Sequence, residues 1–204
     1  MEVAQAFFQS KKSKGFVVSG GAALLAAGLI ARPTEDLDLF THEPTKSVTM
    51  AKEALLETAG RHGWQVTVIR DHSSFCRLIV TGRVEEVLID LAVDSPPVTP
   101  PTMTILGPTL APLELAGRKL LALFGRAEAR DFADVYVLAQ RFGTEALLAQ
   151  AAEQDMGFDH AVLAEMIATL DRFTDDEIPL PDSALPEMRT FFGQWATQID
   201  QDHP

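Results

Sequence analysis

The chain contains a single cysteine, Cys76, in 204 residues. No internal disulfide can staple it, and without His or Cys neighbours at ligand spacing no structural zinc site is expected. No apolar run reaches the roughly 18 residues that a membrane-spanning helix needs, and the N-terminus lacks the basic-then-apolar order of a secretory signal. A cytoplasmic protein with no membrane partner is therefore expected. Positive charge is also scarce: 17 Lys and Arg stand against 29 Asp and Glu, for a net charge of −12. That balance opposes general attraction to a polyanion and argues against a DNA-coating role, so any nucleic-acid contact must rely on a local patch. Lys11, Lys12 and Lys14 form one such patch, which also reads as a solvated tail. Internal repeats and low-complexity tracts are absent as well. What remains is ordinary globular composition, 47% hydrophobic and 23% charged, in a chain long enough for one substantial core or a sheet domain with a helical extension.

Hydrophobic periodicity divides the chain into two parts, a sheet domain over 1–105 and a helical domain over 106–204. Residues 1–14 read as an amphipathic helical lead-in, and Phe16–Ser19 as a short strand entering the glycine pair Gly20-Gly21. Residues 22–30 are strong helix formers, and Pro33 is expected to stop that helix by removing a donor and restricting Arg32. Strands are expected over 36–41, 64–70, 75–81 and 86–93, the last two forming a hairpin about Gly82-Arg83, which implies a mixed sheet. A helix over 45–62 carries Ala51, Ala54, Leu55 and Ala59 on one stripe. Residues 94–109 hold five of the twelve prolines and read as a surface connector. Helices are then expected over 112–124, 127–142, 144–154 and 160–173. An acidic, proline-rich linker over 174–186 leads to a last helix with Met188, Phe191, Phe192, Trp195 and Ile199 near one face. That face packs on its own helical half or on a partner.

The richest segment is GGAALLAAGLIARPTEDLDLF, residues 20–40. In an extended strand alternate side chains share a face, so Asp36 and Asp38 point one way and Leu37 and Leu39 the other. Two carboxylates in one small volume repel unless a cation lies between them, and a divalent ion held by oxygen ligands is the usual answer. Mg²⁺ is the first candidate, because it takes one or two protein carboxylates and completes its shell with water and substrate phosphates. A solvated acidic strand end is the competing reading of a motif this short.

Asp90 interrupts the apolar run VLIDLAV, where a carboxylate without a partner is costly. Either it joins Asp36 and Asp38 at a shared metal or it pairs with an arginine such as Arg77. Farther on, Lys119 sits among Leu115, Leu120 and Leu123, where it snorkels to solvent or serves as a cation for a triphosphate. Arg130, Asp131 and Asp134 follow on consecutive turns of one helix, with Asp131 and Asp134 three apart on one face, as an ion-pair network with Arg126 or as functional groups. Together these residues meet the needs of nucleotidyl transfer. Carboxylates hold metal, Gly20 and Gly21 let backbone approach phosphate, Lys119 answers the triphosphate, and Asp134 or Asp131 orients the acceptor.

The same segments resemble the motifs of the AbiEii/AbiGii-type toxin nucleotidyltransferases. The family pattern is a glycine pair, an apolar helix, Arg-x-Thr/Ser-x-Asp-x-Asp and an apolar tail. LIDLAVD resembles its third-carboxylate strand, KLLALFGR its lysine helix, and RAEARDFADVYVL its Arg-Asp-x-x-Asp helix. The likeness runs from about residue 16 to 140. It implies an α+β fold, a polymerase-β-like nucleotidyltransferase core with a mixed β-sheet and an all-helical C-terminal half. It further implies an enzyme that moves a nucleoside monophosphate from a nucleoside triphosphate to an acceptor hydroxyl, as the toxin of a toxin–antitoxin or abortive-infection system. A tRNA acceptor, a cognate antitoxin partner and a Mg²⁺ (or Mn²⁺) cofactor follow from the same resemblance. By position, it makes Asp36, Asp38, Lys119 and Asp134 catalytic and Asp36, Asp38 and Asp90 metal-binding. Gly20, Gly21, Arg32, Thr34, Arg130 and Asp131 fall on the nucleotide side.

One position departs from the pattern. Ala22 stands where relatives commonly carry Ser or Thr, which removes a hydroxyl contact to the phosphates. Two alternatives therefore stay open: transfer to a small cationic acceptor such as an aminoglycoside, which suits the −12 charge, and an inactive module that binds nucleotide or a partner.

Overall fold

A computed structural model describes residues 2–43, 48–83 and 85–202. The chain divides into two units, Met1–Gly28 with Pro33–Pro112, and Leu29–Arg32 with Leu113–Pro204.

In the first unit the alternation read from the sequence becomes a seven-stranded mixed sheet. Its strands are β1 (Phe16–Ser19), β2 (Asp36–Thr41), β3 (Gln65–Asp71), β4 (Phe75–Thr81), β5 (Glu86–Val93), β6 (Thr102–Thr104) and β7 (Gly107–Thr109). They lie in the order β3-β4-β5-β2-β1-β7-β6. The β2–β5 and β1–β7 pairs are parallel and the others antiparallel. Register stacks apolar side chains in rows: Leu37 opposes Ile89, which opposes Leu78, and Leu39 opposes Leu91, which opposes Cys76. All six are buried, so a single face of the central strands forms the core. Three helices serve this unit: α1 (Glu2–Phe8), α2 (Gly20–Ala26) and α3 (Val48–His62). Helix α3 turns Val48, Ala51, Ala54, Leu55 and Ala59 inward and packs on β3, β4 and β5. Truncating a core leucine such as Leu39 in a layer this closely filled costs about 2–5 kcal/mol.

Three expectations shift here. Helix α2 ends at Ala26 rather than Ile30, because Gly28 takes φ +66° and turns the chain before Pro33 is reached. The segment read as a connector contains the β6–β7 hairpin, and β7 pairs with β1 through Val18 and Thr109. The expected domain division at 105/106 therefore falls inside that hairpin. Residues 45–47 of the expected third helix lie outside the described residues.

The second unit is helical. It comprises α4 (Pro112–Gly125), α5 (Ala129–Phe142), α6 (Thr144–Gln154), α7 (His160–Ala168) and α8 (Leu185–Asp202). A 3-10 turn over Thr169–Arg172 replaces the end of the expected helix over 160–173. The linker before α8 carries two further turns, Asp175–Glu177 and Asp182–Ala184. Met188, Phe192, Trp195 and Ile199 of α8 are buried, and the helix packs on α7 and α5. Phe192 meets Phe132 edge-on at 5.2 Å, a favoured geometry for aromatic quadrupoles. The apolar face of the last helix thus docks within its own unit.

Candidate functional site

At the end of β1 the chain turns at Ser19 directly into α2. Gly20 adopts φ +64° there, a conformation that costs an L-residue about 1–2 kcal/mol. Space imposes the same choice: a Cβ on Gly20 would overlap Asp38 Oδ2 and lie 2.9 Å from Asp38 Cγ. The Gly20 backbone and the Asp38 carboxylate therefore occupy adjoining space, and only glycine permits it. Strand register extends the arrangement sideways. Ser19 opposes Asp38, Asp38 opposes Asp90, and Asp90 opposes Arg77, a row across β1, β2, β5 and β4. Asp36, two residues before Asp38, shares its face. Both aspartates are half-buried while Leu37 and Leu39 are fully buried.

Of the two roles open to Asp90, the structure contains the arginine pairing. Arg77 Nε and Nη2 donate to Asp90 Oδ1 and Oδ2 at 2.7 and 2.6 Å, the bidentate fork that guanidinium and carboxylate favour. That hydrogen-bonded pair, with the charges of Asp90, Asp36 and Asp38, raises the Arg77 pKa above its ordinary value despite some burial. Among the described residues no group of three or more His, Cys, Asp or Glu side chains is arranged to hold an ion. The two β2 aspartates nevertheless suit Mg²⁺ or Mn²⁺. They are hard oxygen donors on one sheet face, beside a turn whose missing Cβ leaves Asp38 room. Thr34 and Ala22 line a small cleft of about 160 Å³ together with Asp36. Ala22 therefore shares a cleft with one carboxylate of the pair, Asp36.

The second unit gathers a different set. Lys119, on α4, is 8% exposed, and its Nζ lies 3.2 Å from Asp131 Oδ1 and 3.1 Å from Asp134 Oδ2. Arg126 donates to both Asp131 oxygens at 2.9 and 3.1 Å. Arg32 donates to both Asp134 oxygens at 2.7 and 2.6 Å. Asp131 also accepts from the Glu128 backbone N–H at 3.2 Å and so helps cap α5. Burial pushes the Asp131 carboxyl up, but the Arg126 hydrogen bond and the Lys119 and Arg126 charges outweigh it and hold the group below its ordinary value. Arg130 stands apart from its neighbour in sequence and pairs with Glu128 at 2.8 Å.

Sequence reasoning missed the Arg32–Asp134 pair, whose partners are 102 residues apart; no periodicity links them. It also passed over Glu114, which is fully buried and bridged to Arg118 at 3.3 Å. Their i,i+4 spacing on α4 was the available signal.

A mixed sheet with paired carboxylates beside a glycine turn, followed by a helical unit, is the nucleotidyltransferase architecture, and solved structures bear this out at the level of fold. MenT4, a nucleotidyltransferase toxin of Mycobacterium tuberculosis, is 18% identical with a TM-score of 0.61; the match covers 98% of this chain and 82% of MenT4. JHP933 of Helicobacter pylori is 21% identical with a TM-score of 0.56, covering 98% and 90% of the two chains. The Megavirus polyadenylate synthase gives 13% identity and a TM-score of 0.50, covering 95% of this chain and 49% of the viral one. No protein of curated function matches the chain. Residues 3–201 match the family described as nucleotidyl transferase AbiEii toxin, type IV TA system. The chain belongs to that family and is a nucleotidyltransferase. Membership implies an NTP substrate and an antitoxin partner. Among the described residues no helix is long and apolar enough to cross a membrane.

Proposed function

We propose that this protein is a toxin that transfers a nucleoside monophosphate from a nucleoside triphosphate to an acceptor hydroxyl of tRNA, using Mg²⁺ or Mn²⁺, and that a cognate antitoxin restrains it. The observation that carries this reading is the Gly20 turn against the Asp38 carboxylate, with Asp36 on the same face. In the reaction the acceptor oxygen attacks the α-phosphorus and forms the new O–P bond. The bond from that phosphorus to the bridging oxygen of the β-phosphate breaks, and pyrophosphate leaves. Asp36 and Asp38 would hold the divalent ion, and Gly20 and Gly21 would bring backbone N–H groups to the phosphates at the start of α2. A bound divalent ion supplies charge neutralisation and aligns the attacking and leaving oxygens. Thr34, beside Asp36, adds a hydroxyl on the nucleotide side. Asp90, held by Arg77 through one hydrogen bond to each oxygen, keeps lone pairs with which it takes the proton that the acceptor hydroxyl loses on attack.

Lys119 and Asp134 enter this proposal as positioning residues. Their charges are engaged with Asp131 and Arg32 in the buried network, and a direct role at the triphosphate requires Lys119 to leave both carboxylates. Asp134 holds Arg32, and with it the short segment Leu29–Arg32, within the helical unit. Arg130 and Asp131 are assigned to the nucleotide side by resemblance alone.

A second reading has its own observation. Glu35, Asp36, Glu85 and Glu86 all line the 160 Å³ cleft, which favours a small cationic acceptor such as an aminoglycoside. Incubating the protein with labelled nucleoside triphosphates, Mg²⁺ and either total tRNA or aminoglycosides separates the readings. Label on tRNA is expected; label only on the drug overturns the tRNA acceptor, and label on neither, with nucleotide bound, points to the inactive module that Ala22 suggests.

A further inference from the structure

The helical unit contains a cleft of about 400 Å³ to which the transfer chemistry assigns no role. One wall is the α4–α5 junction, Arg126 and Ala127. The other is the end of α7 and the turn after it, with Glu165, Met166, Arg172 and Phe173. Two guanidinium groups on one concave surface repel each other unless negative charge lies between them. Arg126 is answered from inside the protein, because the two Asp131 oxygens hold its Nε and Nη2 donors and fix the plane of the fork. Arg172 is exposed, and among the described residues no carboxylate forms an ion pair with it. Glu165, the one carboxylate on the cleft, pairs with neither arginine. The junction itself is held under strain. Ala127 adopts φ +48°, the one non-glycine residue with positive φ among those described, in a region that L-residues rarely enter. That tight turn sets Arg126 at the cleft.

We propose that this cleft binds the phosphate group of a nucleotide, carried either by an RNA strand or by a free mononucleotide. Arginine forks match phosphate oxygens in geometry and in charge. Met166 and Phe173 add an apolar wall for the attached nucleoside, and the volume lies within the range of small-ligand sites. Elsewhere the net charge of −12 repels phosphates, so a phosphate-bearing ligand needs such a local pair of arginines. The inference deepens the proposed acceptor chemistry and rests on it for its biological meaning, but it is tested by binding alone.

The test measures fluorescence anisotropy on the full chain, with a short labelled single-stranded RNA in one arm and labelled ATP in the other. Arg172→Glu changes an exposed side chain and is expected to fold normally. It is expected to weaken one probe about tenfold and to lower the salt dependence of that binding by about one ion. An effect on RNA assigns the site to a strand, and an effect on ATP alone assigns it to a mononucleotide. Glu165→Gln removes the opposing carboxylate and is expected to tighten the same probe about two- to threefold. Wild-type affinity of Arg172→Glu for both probes overturns the proposal, as does weaker binding in Glu165→Gln. If the wild type binds a probe in this manner yet transfers no label to any acceptor, the transfer reading fails and the cleft stands.

Discussion

The two units treat aspartate in opposite ways. On the sheet face, Asp36, Asp38 and Asp90 all act on the guanidinium of Arg77, and Asp90 pairs with it directly. In the helical unit, the buried Asp131 and Asp134 meet three cations, Lys119, Arg32 and Arg126, of which Arg126 lies at the solvent edge. A carboxylate enclosed by cations and hydrogen-bond donors serves the fold, since losing either partner leaves a buried charge uncompensated. Carboxylates held half-exposed on a shared face attract a further cation instead. Residue type is the same in both places; burial and the local balance of charge separate the roles.

This contrast breaks if substitutions in the two units behave alike. Asp38→Asn is expected to lower transfer about a thousandfold while leaving the melting temperature unchanged, as read by nucleotide incorporation and thermal denaturation of one preparation. A comparable loss of stability would place Asp38 with the structural aspartates. Asp134→Ala removes the carboxylate that Lys119 and Arg32 share and is expected to destabilise the protein by about 3–5 kcal/mol in urea titration; normal stability with abolished transfer would instead make Asp134 a direct participant. Gly20→Ala forces a left-handed alanine into the space of Asp38 and is expected to cost about 1–3 kcal/mol together with most of the activity. Activity close to wild type would show that the close approach of Gly20 to Asp38 is not needed.

Two smaller effects sharpen the contrast. The Asp131 pKa is depressed in the folded protein, so its contribution to stability is present above its ordinary unfolded value and is lost as pH falls through the folded value. The melting temperature is therefore expected to fall below about pH 4, with a shallower acid slope in Asp131→Asn; identical slopes would remove Asp131 as the cause. Arg77→Gln breaks a partly exposed pair worth about 1 kcal/mol or less, so stability should change little. Mn²⁺ binding by calorimetry should tighten as Asp90 is released, and weaker binding would mean that Arg77 supports the ion site.

Much of this was legible in the chain. The β2, β4 and β5 strands and helix α6 follow from period-two and period-3.6 patterns at the expected boundaries. The shared face of Asp36 and Asp38 is a direct consequence of alternation. Less legible were elements decided by single backbone conformations: Gly28 cut α2 short, and Ala127 delayed the start of α5 to Ala129. The β6–β7 hairpin was hidden because proline-rich composition masks two three-residue strands that pair with each other and, at Thr109, with β1. In the candidate site, local motifs exposed the charged residues and offered Arg77 for Asp90 and Arg126 for Asp131, but not Arg32 for Asp134, since those two have no local relation in sequence.

The sequence by itself determined which residues could share a face, because the strand and helix periods are fixed by backbone geometry. It also determined that position 20 had a residue able to take the left-handed turn. Tertiary structure alone decided which charges would meet. It placed Arg77 opposite Asp90 by strand register and brought Arg32 to Asp134 across the chain. Ionic partners are chosen by distance and burial, and neither is a property of neighbouring residues.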